Sequence, residues 1–227
     1  MTGSAIGKTT ALIDGRWKVT GQARYGDDVR LPGELIGRIV RSKHHYARVL
    51  SIDATGALEL PGVAAIATGQ DASGTFGVLP VTKDEHAMAR DKVRHIGDLV
   101  ACVAAVDEST AREAVRLLEV EYEEMNATHD MRKGLDDADE PIHDRAKYHI
   151  GSSNIQKRVF QEFGDIDGMT ENAVASNKSD LLFAGANHGF TEPHAVVAQW
   201  EPAGRLQLYT PQHALRYFHD ALDGGSE

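Results

Sequence analysis

The chain is poor in cysteine. Cys102 is the only cysteine among 227 residues, so no intrachain disulfide can form and a disulfide-stapled secreted fold is excluded. It lies inside the apolar run LVACVAAV (99–106), where burial raises a thiol pKa. The position therefore predicts a buried structural thiol rather than a nucleophile, in a protein of the reducing cytoplasm.

Long hydrophobic segments are also lacking. No apolar run approaches the roughly 20 residues that cross a bilayer. The first ten residues, MTGSAIGKTT, do not contain the apolar core of a signal peptide. With 24 basic and 34 acidic side chains, the net charge of -10 gives no electrostatic footprint for nucleic acid. We expect a cytoplasmic protein with no membrane partner and no nucleic-acid partner.

Several catalytic signatures are missing as well. There is no GxSxG nucleophile elbow, and GSAIGKTT (3–10) has three residues between its glycines where a phosphate loop needs four. His188, Glu192 and His194 look like metal ligands, but zinc proteases place two histidines four apart on a helix. Here the histidines are six apart and Pro193 interrupts any helix. A standalone metal hydrolase at these three residues is one alternative.

The clearest structural signal lies between residues 90 and 122. Residues 99–106 are continuously apolar, as in a strand that is covered on both faces. Asp107 or Ser109 can cap the helix that follows, and apolar positions recur in it at helical spacing (Ala111, Ala114, Val115 and Leu118). Residues 118–123 then alternate apolar and acidic, which predicts a half-buried strand. This segment therefore forms a small α/β unit with its own core.

Further short elements precede this unit. Apolar residues predict strands at 35–41, 49–53 and 63–68, of which the last, VAAIAT, is of the buried type. A short helix is expected to begin at residue 53 and to end before Leu60. Residues 12–25 suggest an extended segment held by an aromatic side chain. Repeated short strands with intervening helices indicate an α/β (α+β) fold class.

His44 and His45 are adjacent and invite a metal-site interpretation. Neighbouring residues of an extended chain point to opposite faces, so one metal could not easily take both. We interpret them as surface histidines.

The composition changes after Met125. Residues 126–154 are polar and acidic, which predicts an extended connector and a domain boundary. Further on, residues 195–200 and 206–209 flank a Pro-Ala-Gly turn and predict a hairpin. Residues 212–222 have apolar positions at helical spacing.

Read together, these segments resemble the N-terminal part of the large subunit of molybdenum hydroxylases, the xanthine dehydrogenase and aldehyde oxidase family. Within it, the likeness is closest to the alpha subunit of the 4-hydroxybenzoyl-CoA reductase subgroup. The matching pieces appear in the family's order along nearly the whole chain. They are VTGQARYGDDVRLPGELIGRIVRS (19–42), ARVLSIDATGALELPGVAAIATGQD (47–71), FGVLP and ARDKVRHIGDLVACVAA, FGDID (163–167), EPHAVVA (192–198) and LYTPQ (208–212).

This resemblance implies a domain order. A tail (1–17) would precede an a/b hammerhead domain (18–125), an extended linker (126–159) and the beginning of the molybdopterin-binding domain (160–227). The resemblance also implies that Gln212 contributes to cofactor binding, lying beside the metal and donating a hydrogen bond to one of its oxygen ligands. A neutral amide stabilises charge on that oxygen without adding charge of its own.

The family's cofactors and partners follow from the same resemblance. Molybdopterin with molybdenum would act in the intact enzyme, with iron–sulfur clusters and FAD on partner subunits or domains. The partners would be the rest of the large subunit, the iron–sulfur and flavin subunits, and a small-molecule substrate: an aromatic acyl-CoA, a purine or an aldehyde.

Some features depart from the family pattern. Lys43 and Leu99 stand where the family often has other residues, and the later GGGFG loop and glutamate general base are missing. We therefore expect a front portion of a longer subunit that is inactive alone. The alternative from another functional class is a non-catalytic interaction module on the same scaffold.

Overall fold

The structure is a computed structural model that describes residues 7–72, 74–77, 83–135, 141–143 and 154–224. Parts of the predicted tail and linker, including the acidic run 136–140, lie outside these residues. The described chain divides into two units. The smaller unit takes residues from 1–32 and 183–213, and the larger unit takes those from 33–182 and 214–227.

The larger unit contains eight described strands and most of the helical residues. Its strands are β1 (Ile36–Arg41), β2 (Ala47–Asp53), β3 (Val63–Thr68), β4 (Thr75–Phe76), β5 (Glu85–His86), β6 (Lys92–Val93), β7 (Leu99–Ala105) and β8 (Glu119–Glu124). Its helices are α2 (Thr55–Leu58), α3 (Glu108–Leu117), α4 (Ile166–Glu171), α5 (Leu215–Gly224) and the 3-10 turn Lys133–Leu135, whereas α1 (Gly15–Val19) belongs to the smaller unit.

Two antiparallel three-stranded sheets organise this unit. The first has the order β1-β7-β3 and the second has the order β6-β2-β8. Strands β4 and β5 form a separate short pair. The predicted strands at 35–41, 49–53, 63–68 and 118–123 are therefore confirmed, and so is the short helix before Leu60.

Strand β7 is the centre of the first sheet, but its two faces are not equally covered. Ala101, Val103 and Ala105 are fully buried, whereas Cys102 and Ala104 are half-buried. The expectation of cover on both faces was wrong for this stretch, because Cys102 pairs across the sheet with Ile39, which is itself 40% exposed. Burial still raises the pKa of the Cys102 thiol, which keeps it protonated near neutral pH.

Strand β3 also differs from its expected burial. Ala64 and Ala65 are exposed, and among the described strands β3 pairs with β7 alone, at the edge of the first sheet. The run of small apolar residues therefore predicts the strand correctly, but it predicts more burial of the strand than the structure has.

Two hydrophobic cores share β7. The core between the first sheet, α2 and α3 has five buried members: Ala57, Ala101, Val103, Ala114 and Leu118. The core around the second sheet has four: Ala47, Ala89, Val93 and Val100. Val100 and Ala101 are adjacent, and the pairing of β1 with β7 shifts register at this point, as at a β-bulge. Ile52 and Val120 pack against both cores and join them.

Asp107 is the N-cap of α3, as the sequence predicts. Its Oδ1 accepts hydrogen bonds from the Thr110 backbone N–H (2.8 Å) and the Ser109 hydroxyl (2.8 Å). These bonds, the backbone bond first, hold the pKa of Asp107 below its usual value. Glu108, in the first turn, pairs with both Arg38 of β1 and Arg112, which ties α3 to the sheet.

The described part of the connector is bound to the second sheet. The buried Lys92 donates from Nζ to the Pro141 carbonyl (2.7 Å) and to the Tyr46 hydroxyl (2.9 Å). Tyr46 in turn donates to the same carbonyl (2.8 Å), and Arg94 donates from Nε to the Ile142 carbonyl (3.0 Å). Residues 141–143 are thus held by specific bonds rather than extending freely.

The smaller unit contains α1, a 3-10 turn (Gly26–Asp28) and a hairpin of β9 (Val197–Trp200) and β10 (Leu206–Tyr209). The hairpin was predicted and is confirmed. The expectation of an extended chain at 12–25 was wrong in part, because α1 forms there with a Lys18–Asp14 ion pair (2.7 Å). In the larger unit, α5 begins three residues after the predicted start at 212.

No helix in the described part of the chain has the length and hydropathy needed to span a membrane.

Removal of the Asp107 carboxylate should destabilise the N-terminus of α3. Asp107→Ala should lower the midpoint of thermal unfolding by a few degrees, and Asp107→Asn should restore most of the loss because the amide oxygen still accepts. Because the folded pKa is lowered, the carboxylate stabilises the fold above pH about 3.9 and this contribution disappears as the pH falls through the folded pKa. Equal stability of wild type and Asp107→Ala at pH 7 would contradict this role.

The core of β7 leads to a second prediction. Val103→Ala should lower the free energy of unfolding by about 2 kcal/mol, because Val103 is fully buried and the truncation leaves a cavity. Val174→Ala is the matched control, since Val174 is fully exposed. Urea denaturation followed by circular dichroism measures both, and similar losses for the two variants would refute the assigned core.

Candidate functional site

Gln212 lies in the extended segment that follows β10. Its side chain is exposed. The preceding residue, Pro211, packs against Gly26 so closely that a Cβ on Gly26 would lie 2.9 Å from Pro211 Cδ. Ala195 Cβ would lie 3.6 Å from the same position. Only glycine leaves room for this approach, which positions the backbone just before Gln212.

Glu192 contacts the same glycine from another segment. Its Oε1 accepts a hydrogen bond from the Gly26 backbone N–H at 2.9 Å. The neighbouring Tyr25 N–H donates to Asp28 Oδ2 at 3.0 Å and closes the 3-10 turn. Three motifs that are distant in sequence, at 19–42, 192–198 and 208–212, therefore meet at Gly26. Chemically, the assembly presents a neutral amide, which can both donate and accept, on a fixed backbone.

The structure does not assemble His188, Glu192 and His194 into a ligand set. Glu192 binds the Gly26 amide, while the His188 ring stacks on Phe190 at 5.1 Å and the His194 ring meets Phe190 edge-on at 5.4 Å. Among the described residues, no group of three or more His, Cys, Asp or Glu side chains could hold a metal ion.

His44 and His45 contact different residues. His44 Nδ1 lies 2.7 Å from Glu124 Oε1, and its ring packs on Tyr122. The ring of His45 instead meets His129 edge-on, with 4.6 Å between centroids. Burial raises the pKa of Tyr122, first through desolvation and then through Asp98.

Two open cavities in the larger unit were not predicted from the sequence. Arg94 and His95 line both of them, and each has a volume of about 330 Å³. The first, which we call the carboxylate cavity, also has Asp84, Glu85 and Asp98 in its wall. The second, the histidine cavity, has His45, His129, Asn126 and Thr128 instead. One feature of the sequence could have pointed to these cavities. The motif KVRH (92–95) brings two cations, Lys92 and Arg94, into a buried strand region.

Gln212 lines neither of these cavities.

Comparison with known proteins identifies the domain. Residues 20–126 match the family model described as aldehyde oxidase and xanthine dehydrogenase, a/b hammerhead domain. A probable xanthine dehydrogenase subunit from Bacillus subtilis is 31% identical over 206 residues, which cover 89% of this chain and 26% of that protein. The nicotinate dehydrogenase large molybdopterin subunit of Eubacterium barkeri is 30% identical over 205 residues, covering 89% of this chain and 46% of that protein.

A solved structure supports the same fold. The aldehyde oxidoreductase of Desulfovibrio gigas superposes with a TM-score of 0.77 at 24% identity, over 94% of this chain and 24% of that protein. This chain thus spans less than half the length of each of these three proteins. Residues 20–126 thus form an a/b hammerhead domain, and the chain as a whole is similar to the large-subunit regions of molybdopterin-dependent dehydrogenases and oxidases.

Proposed function

We propose that this chain is the N-terminal portion of a molybdopterin-dependent oxidoreductase large subunit and is inactive without the remainder. The observation that carries the proposal is the meeting of three family motifs at Gly26, which places the segment bearing Gln212 beside two others from the same family pattern. We assign residues 18–125 to the hammerhead domain, 126–159 to the linker and 160–227 to the start of the molybdopterin-binding domain.

The residues present fit a molybdopterin cofactor at one point. Gln212 is exposed and neutral, so its amide can donate to an oxygen of a bound group without adding charge of its own. A bound molybdenum cofactor would supply the exchange of an oxygen and two electrons with the substrate, and iron–sulfur and flavin partners would carry the electrons. In this chain, the Gly26 contacts orient the backbone before Gln212, and Gln212 holds a hydrogen bond that stabilises developing negative charge.

For the substrate we propose an aromatic acyl-CoA, as in the 4-hydroxybenzoyl-CoA reductase subgroup, with removal of a ring hydroxyl. This proposal rests on the resemblance of the sequence to that subgroup, whereas the order of the motifs is common to the whole family. Purine and aldehyde substrates are the competing outcomes of an activity assay on the complete enzyme. We propose a cytoplasmic location because the chain has a single cysteine and therefore no intrachain disulfide framework.

Exposed apolar side chains support a partner that covers part of this chain. Leu181, Leu182 and Phe183 are consecutive and 94%, 88% and 89% exposed. Phe160 and Phe163 in the preceding segment are 84% and 80% exposed. Large exposed apolar side chains that follow one another along the chain are a feature of protein–protein contact segments, and we propose that the rest of the large subunit covers them.

Gln212→Ala in the complete, metal-loaded enzyme tests the cofactor contact. We expect kcat to fall by about 100-fold, the usual effect of removing one such donor, with the molybdenum content unchanged. Gln199→Ala is the matched control, because Gln199 is an exposed amide on β9. Unchanged kcat in Gln212→Ala would overturn the role of Gln212, and a stable complex that contains no molybdenum would favour the non-catalytic scaffold instead.

Leu182→Ser tests the proposed cover. Co-purification with the rest of the large subunit should weaken by about tenfold, because burial of one leucine contributes about 1.5–3 kcal/mol. Leu58→Ser is the control, since Leu58 is an exposed leucine (56%) outside the apolar segment. Equal capture of the two variants in a quantitative pull-down would show that residues 181–183 are not the contact.

A further inference from the structure

We propose that the histidine cavity binds a small oxyanion, the phosphate group of a small molecule. The proposal concerns the larger unit alone and does not depend on the role of Gln212. Its starting point is a local charge that opposes the charge of the whole chain, which is -10.

The described wall of the histidine cavity has cationic or titratable nitrogen groups and no carboxylate. Arg94, His45, His95 and His129 line it, whereas the carboxylate cavity, which Arg94 and His95 also line, has three acids. The two cavities therefore have equal volumes, but the charges of the side chains in their walls differ. A volume of about 330 Å³ is within the range of small-ligand sites.

Arg94 is held in place but keeps donors for a ligand. Nε donates to the Ile142 carbonyl (3.0 Å) and Nη1 to the Lys92 carbonyl (3.2 Å), and neither acceptor neutralises the charge. The Nη2 atom lies 4.0 Å from Asp91, a distance beyond a hydrogen bond, and Asp91 is 70% exposed, so solvent screens it. These bonds use two of the five N–H groups of the guanidinium, whose planar fork suits an oxyanion.

The histidines can complete the site. His95 Nδ1 lies 2.9 Å from the Ile96 carbonyl and donates to it, which fixes the orientation of the ring in the cavity wall. His45 and His129 support each other edge-on at 4.6 Å. Asn126 and Thr128 add neutral donors at the same wall. Phosphate, with several acceptor oxygens, matches this mixture of charged and neutral donors better than it matches the carboxylate cavity.

Isothermal titration of the full chain with inorganic phosphate at constant ionic strength tests the proposal. We expect saturable binding at one site. Arg94→Gln should weaken it by about tenfold or more, because it removes a charge-assisted hydrogen bond, and His129→Gln by about threefold, because it replaces the imidazole ring in the cavity wall. Arg48→Gln should bind like wild type, since Arg48 pairs with Glu123 on the second sheet and does not line the cavity.

Some outcomes of these titrations would contradict the proposal. Binding that does not saturate, or that Arg94→Gln and His129→Gln leave unchanged, would overturn it. If Arg94→Gln does not fold, as judged by circular dichroism, the His129→Gln variant alone tests the proposal, because His129 is exposed. A titration with acetate separates the ligand classes: binding as tight as that of phosphate would overturn the phosphate assignment.

Discussion

The fold of the larger unit depends on the burial of one strand. β7 pairs with two neighbours, contributes Ala101 and Val103 to one core, and contributes Val100 to the other. Because one short segment serves both cores, the two sheets and α3 cannot form independently of each other. The register shift at Val100 is what allows adjacent residues to enter different cores. The interaction that matters most is therefore ordinary apolar burial, concentrated in one place.

The parts that the sequence predicts well are those with local causes. Alternation in β8, the apolar run of β7 and the Asp107 cap each follow from neighbouring residues, so pattern and structure agree. α1 and α4 are too short for periodicity to reveal. They depend on single local contacts instead: the Lys18–Asp14 ion pair and the Asp165 carboxylate that accepts from the Gly168 amide.

The features that the sequence does not predict have tertiary causes. The half-open face of β7 depends on which elements lie above it, and composition alone cannot specify that. The histidine cavity depends on the return of residues 141–143 to Lys92 and Arg94. For the candidate cofactor contact, the sequence supplies the residue, Gln212, through family likeness. The structure adds the packing at Gly26 that connects its segment to two others.

The lack of a side chain at Gly26 limits how the sequence of this chain can diverge. A methyl group there would meet Pro211 at 2.9 Å, next to an amide that Glu192 already holds. Descendants that lose this glycine must therefore change the proline segment too, so the two loci should vary together rather than singly. Because there is no room for one more carbon atom at Gly26, the substitutions that the smaller unit can accept there are restricted.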